Sequence, residues 1–170
     1  MERVSGKTRK ITLCAVFVAA ALVLSLLERW IPAFVPVPGF RLGLSNVAVM
    51  LALYAIGPGG GLWVLAGKCI LSAVFAGNIT AALYSLAGGV LAYAAMLGAM
   101  RIRGLSPVGV SVLGAAAHVI GQIAASMVLM GTMVTAAYLP VLLVCAAVTG
   151  IVTGFISAWL MNALKGIYGK

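Results

Sequence analysis

GLSPVGVSVLGAAAHVIGQIAASMVLMGTMVTAAYLPVLLVCAAVTGIVTGFISAWLMNAL, residues 104–164, contains no Asp, Glu, Lys or Arg. A helix needs about 20 apolar residues to cross the hydrocarbon core of a bilayer, so this run holds two crossings joined by a turn. Gly131, Thr132 and Thr135, just ahead of Pro140, mark that turn. Residues 42–67 and 69–100 are equally free of charge. Applying the same rule throughout predicts membrane spans near 11–31, 44–56, 61–76, 79–100, 107–130 and 136–164. Spans two and three are short and call for tilt or burial within the bundle.

The composition agrees. Of 170 residues 64% are hydrophobic and 8% charged, with a mean hydropathy of +1.22, whereas a soluble domain carries about 25% charged residues. Almost no room is left for a soluble domain. The chain, 1–170, reads as one all-α integral membrane domain: a basic cytoplasmic N-terminus over 1–10, a compact bundle of six transmembrane helices over 11–164 and a cytoplasmic tail over 165–170. The expected location is the cell (plasma) membrane, multi-pass.

Arg3, Lys7, Arg9 and Lys10 precede the first span as they would in a secretory signal, but no small-residue cleavage site follows and five more spans do. Six crossings put that cluster, Arg101 with Arg103, and Lys165 with Lys170 on one side, leaving Arg29 and Arg41 opposite. Basic residues favour the cytoplasmic side, so both termini are expected there. The formal charge of +9 then belongs to topology and anionic lipid, and no basic face remains for nucleic acid.

The acids are Glu2 and Glu28, and Asp is absent. This removes chemistry built on paired carboxylates, carboxylate-held magnesium or an acidic metal cage. Cys14, Cys69 and Cys145 form no CxxC pair and sit in apolar runs, where they act as small buried hydrophobes. Residues 61–69, GLWVLAGKC, approach a P-loop but place five residues between the glycines and Cys where Ser or Thr is needed, so no ATP site is expected. No catalytic residue, cofactor or metal is expected.

The few polar residues inside the spans therefore carry the functional reading. His118, Gln122 and Ser126 recur every four residues and make one polar face on the fifth span, running from mid-membrane toward the outer surface. Such a face serves interhelical hydrogen bonds or a ligand, and a lone His with no neighbouring ligand type holds no metal. Asn78 and Thr80 can cap the fourth span, and Tyr84 follows one turn after Thr80, at the height of Gln122 and Ser126. Tyr138 stands where interfacial tyrosines anchor helices.

Between the first two spans lies the longest connection, 32–43, stiffened by Pro32, Pro36 and Pro38. It leads through Arg41 into Asn46. Arg41 could clamp a carboxylate or phosphate, contact headgroups or pair with Glu28, and Asn46 is a further ligand candidate. Lys68 lies about two turns into the third span, from where its stem is expected to snorkel to the interface. Residues 57–61, GPGGG, read as a tight reversal. Ala15 with Ala19 and Gly150 with Gly154 are small-xxx-small pairs that permit close helix approach.

Six short spans, the long outer loop, Ala15xxxAla19 and above all RLGLSNV, 41–47, continuing into 57–61, together resemble the Gx transporter family over essentially the whole chain. That family also goes by heptaprenyl diphosphate synthase component I and is similar to the substrate-binding S components of energy-coupling factor (ECF) transporters. The resemblance implies a bundle that captures a small nutrient or vitamin-like molecule from outside, with 32–43 as a lid over spans four to six. Ala15 and Ala19 would dock on a membrane scaffold protein driven by cytoplasmic ATPases, and toppling of the bundle would deliver the ligand. The synthase label implies prenyl-chain elongation, which relies on aspartates holding magnesium against diphosphate. Without Asp the chain is at most an accessory subunit of such an enzyme. The substrate-binding candidates are thus Arg41, Asn46, Asn78, Tyr84, His118, Gln122 and Ser126, with Ala15 and Ala19 as partner interface.

Overall fold

The computed structural model describes residues 6–28, 43–77 and 79–168, which form six α-helices and no strand. They are α1 (Gly6–Leu27), α2 (Asn46–Ala55), α3 (Pro58–Ala76), α4 (Ile79–Ala99), α5 (Pro107–Met130) and α6 (Leu139–Tyr168). A 3-10 turn, Val134–Tyr138, introduces α6. Five helices are long and apolar enough to cross a membrane. At 1.5 Å per residue, the 10-residue α2 is only about 15 Å long, half a hydrocarbon core.

That short helix is the axis of the fold. Residues 46–53 are all buried, and α2 touches each of the other five helices. A helix apolar on every side, built from Val, Ala, Met and Leu, has no solvent or lipid face to present. Around it gather Phe17 and Ala21 of α1, Val64 and Leu65 of α3, Ala92 and Met96 of α4 and Val110 of α5. A second core, Ala115, Val119 and Ile123 with Leu142 and Ala146, joins α5 to α6.

The outside is as apolar as the inside. Leu86 and Val90 on α4, Val144, Val148 and Trp159 on α6, and Val74 and Phe75 on α3 are exposed. Buried instead are Lys68, His118, Gln122, Glu28 and several Ser and Thr hydroxyls. Contiguous apolar surface of this extent belongs in lipid, and the chain is a multi-pass membrane protein.

Helix boundaries follow local chemistry. Gly57, at φ 100°, makes the sharp turn from α2, and Pro58 begins α3 at a position where its missing N–H costs nothing. The reversal expected over 57–61 is therefore confined to its first residue, and Gly59, Gly60 and Gly61 are already helical. Ser106 caps α5 by accepting from the Gly109 N–H at 3.2 Å, again with Pro at the first position. Helix α1 starts at Gly6, ahead of the expected span, and carries Lys7, Arg9 and Lys10 in its first turns.

Close backbone contact sets the α4–α5–α6 layer. A Cβ on Gly121 would lie 2.7 Å from the Ala87 carbonyl oxygen, and one on Gly150 or Gly154 would lie 2.7 Å from the Cα of Val112 or Val108. The GxxxG pair thus packs α6 on α5 inside the bundle, where Ser111 and Thr153 also share a 2.9 Å hydrogen bond. Thr153 directs its own hydroxyl to the Thr149 carbonyl at 2.7 Å, so Ser111 is the donor. On the other side, Ser25 of α1 and Ser72 of α3 are hydrogen-bonded at 3.2 Å.

Candidate functional site

Helix α5 presents His118, Gln122 and Ser126 inward on successive turns, all at most 4% exposed. Glycine on the facing helix makes room for them. A Cβ on Gly88 of α4 would meet the His118 ring at Cε1 and the His118 carbonyl, each at 2.8 Å, and Gln122 Cγ at 2.9 Å. Tyr84 lies one turn from Gly88 in the same helix, toward the end where α5 carries Ser126, and is 3% exposed. Its hydroxyl has no partner among the described residues. Ser126 Oγ donates to Met130 Sδ at 3.6 Å.

Against the other edge of the imidazole stands the turn that leads into α2. Gly43 has φ 83°, and a Cβ there would lie 3.2 Å from His118 Cδ2 and 3.0 Å from Asn46 Nδ2. The turn closes through Asn46 N–H to the Gly43 carbonyl at 2.9 Å and Val47 N–H to the Leu44 carbonyl at 3.1 Å. Glu28, buried at the end of α1, accepts from the Gly43 N–H and from the Leu44 N–H at 3.3 Å. One carboxylate thereby ties the end of the first helix to the start of the second.

Lys68 completes the arrangement. It is fully buried, and its Nζ donates to Asn46 Oδ1 at 3.0 Å. The expected snorkelling does not occur. Ten residues beyond Pro58, Lys68 lies about 15 Å along α3 on a face covered by α2, where the Asn46 oxygen replaces water at the ammonium.

Of the candidates named from sequence, Asn46, His118, Gln122, Ser126 and Tyr84 are all buried. Gly43 links the first two directly, and Gly88 links His118 to Gln122. Arg41 and Asn78 lie outside the described residues. Ala15 and Ala19 are exposed on the face of α1 opposite the buried Phe17, Ala21 and Ser25. Tyr138 is partly buried beside the α5–α6 core. Sequence reasoning missed Lys68 and Glu28 as members of the cluster, although Lys68 is the sole charge between residues 42 and 100. Among the described residues no three His, Cys, Asp or Glu side chains converge as metal ligands would.

Fold and site together define a polytopic helical membrane protein whose interior holds a polar and charged cluster contributed by α1 to α5. Residues 17–160 match the family described as Heptaprenyl diphosphate synthase component I, and the chain belongs to that family. No curated protein and no solved structure matches it.

Proposed function

We propose that this chain is a substrate-binding membrane subunit, S component-like, of an ECF-type importer for a small nutrient or vitamin-like molecule. The observation that carries the reading is the buried cluster of Asn46, Lys68, Tyr84, His118 and Gln122, drawn from four helices. Polar and ionisable groups inside a membrane domain cost several kcal/mol unless compensated, on the order of the whole stability of a domain, and they usually mark a ligand or ion path. Helix packing alone is served here by glycine contacts and by hydroxyl pairs such as Ser111 with Thr153. Arg41 and Asn78, named from the sequence, would complete the binding set.

Energy would come from elsewhere. The sequence has no P-loop, and Ala15 with Ala19 leaves a small-residue face of α1 exposed for a membrane scaffold protein bearing cytoplasmic ATPases. In this reading both termini are cytoplasmic, the protein resides in the plasma membrane, and neither cofactor nor metal takes part.

The family description favours a second reading, a non-catalytic membrane accessory subunit of heptaprenyl diphosphate synthesis. The catalytic work would fall to a partner, because this chain has no Asp to hold magnesium against diphosphate.

A thermal-shift screen of metabolites against the purified protein separates the two, since a ligand of the folded state raises its stability by mass action. The importer reading expects one class of small polar metabolite to shift the wild type, and expects Arg41→Ala, His118→Ala and Gln122→Ala to lose both that shift and uptake in cells. No shift from any compound, with uptake intact in all three variants, refutes it.

A further inference from the structure

We propose that the Lys68–Asn46 pair makes the α2 end of the binding site a hydrogen-bond donor, so that the bound molecule presents an acceptor oxygen there, from a carboxylate or a carboxamide. The inference rests on the binding reading above and adds the chemical class of the group recognised.

A lysine only donates, so the Asn46 side chain must turn Oδ1 toward Lys68 Nζ, as the 3.0 Å contact shows. That fixes the amide. Its Nδ2 then faces Gly43 and His118: the position a Gly43 Cβ would take is 3.0 Å from Nδ2 and 3.2 Å from His118 Cδ2. Asn46 is 8% exposed, and Nδ2 has no hydrogen-bond partner among the described residues. A buried amide donor is costly to leave unmade. Glu28 Oε1 accepts from the Gly43 and Leu44 N–H groups, and no hydrogen bond joins Asn46 Nδ2 to either oxygen of that carboxylate.

Lys68 stands directly behind the Asn46 carbonyl and polarises the amide, strengthening Nδ2 as a donor. The Glu28 carboxylate on the Gly43 turn offsets its charge, so the preference rests on the amide donor and not on net charge. Tyr84, whose hydroxyl is also without a partner among the described residues, can donate or accept and leaves the preference unchanged. Lys68 is in this sense a positioning residue, and Asn46 the group that touches the ligand.

The test uses the full chain in lipid nanodiscs and three short aliphatic diazirine probes that differ only in ending as carboxylate, carboxamide or primary amine. Sites of photolabelling are read by mass spectrometry. On the wild type, the acid and amide probes are expected to label α2 and α5 about tenfold more than the amine, the worth of one buried hydrogen bond. The ratio of acid to amide separates the two sources of the oxygen. Asn46→Asp keeps the shape and the Lys68 contact but offers an acceptor, and is expected to reverse the order in favour of the amine. A variant that merely misfolds admits all three probes alike and cannot invert their order, and the wild-type order needs no variant. Equal labelling of α2 and α5 by all three probes, or an unchanged order in Asn46→Asp, overturns the inference while leaving binding intact. No labelling of these helices by any probe overturns the binding reading itself.

Discussion

Replacing Gly88 by alanine adds one methyl group where α4 meets the functional face of α5, and its cost can be worked from the packing. The new Cβ would stand 2.8 Å from the His118 carbonyl oxygen, whereas ordinary contact begins at 3.4 Å. The helices must therefore separate by about 0.6 Å, because the obstacle is backbone and cannot rotate away. A gap of that size forfeits a quarter to a half of each dispersion contact along the interface, and overpacking of this kind costs about 1–3 kcal/mol. Alanine also gains up to about 1 kcal/mol of helix propensity over glycine, which would mask part of the effect. Gly98 supplies the control: it lies in the same helix, is exposed, and has nothing within 4 Å of its would-be Cβ. Gly98 is the penultimate residue of α4 and gains less from propensity than Gly88, so the difference between the two variants is a lower bound on the steric term. Unfolding in mixed micelles with rising dodecyl sulfate, followed by far-UV circular dichroism, should place Gly88→Ala below Gly98→Ala by about 1–3 kcal/mol. Coincident unfolding curves would refute the close packing of α4 on His118.

Three further outcomes follow from the same geometry. Glu28→Ala strands the Gly43 and Leu44 N–H groups and should lower stability by about 1–3 kcal/mol in the same assay, whereas Glu28→Gln, which keeps an acceptor, should lose less. Gly150→Ala drives a methyl against the Val112 backbone and should cost about 1–3 kcal/mol relative to Gly98→Ala, read again by micelle unfolding. Ser111→Ala removes one interhelical donor and leaves Thr153 bonded to its own helix, so the loss should be near 0.6 kcal/mol.

Span placement was legible because charge-free length is a strong signal. The fifth span, expected over 107–130, is α5 itself, and the fourth ends one residue earlier than expected. The first helix begins earlier because Lys and Arg are good helix formers, and a hydropathy reading stops where apolarity does. What the sequence could not show was partner choice between helices. The polar face of His118, Gln122 and Ser126 is visible from spacing, but which glycines receive it is a property of the packed bundle. The burial of Lys68 is hidden from the sequence for the same reason. From sequence its surroundings look like lipid; in the structure α2 covers it and supplies Asn46. Glu28 reached its partners across a separation of 15 residues, which no local pattern records.

The most direct measurement is affinity purification of the tagged protein from native membranes, with its partners identified by quantitative mass spectrometry. An energy-coupled binding subunit should bring down a membrane scaffold protein and its ATPases, and Ala15→Leu with Ala19→Leu, on an exposed face of α1, should abolish that association without altering the fold. Recovery of a prenyltransferase in their place, unaffected by the two leucines, would contradict the importer reading.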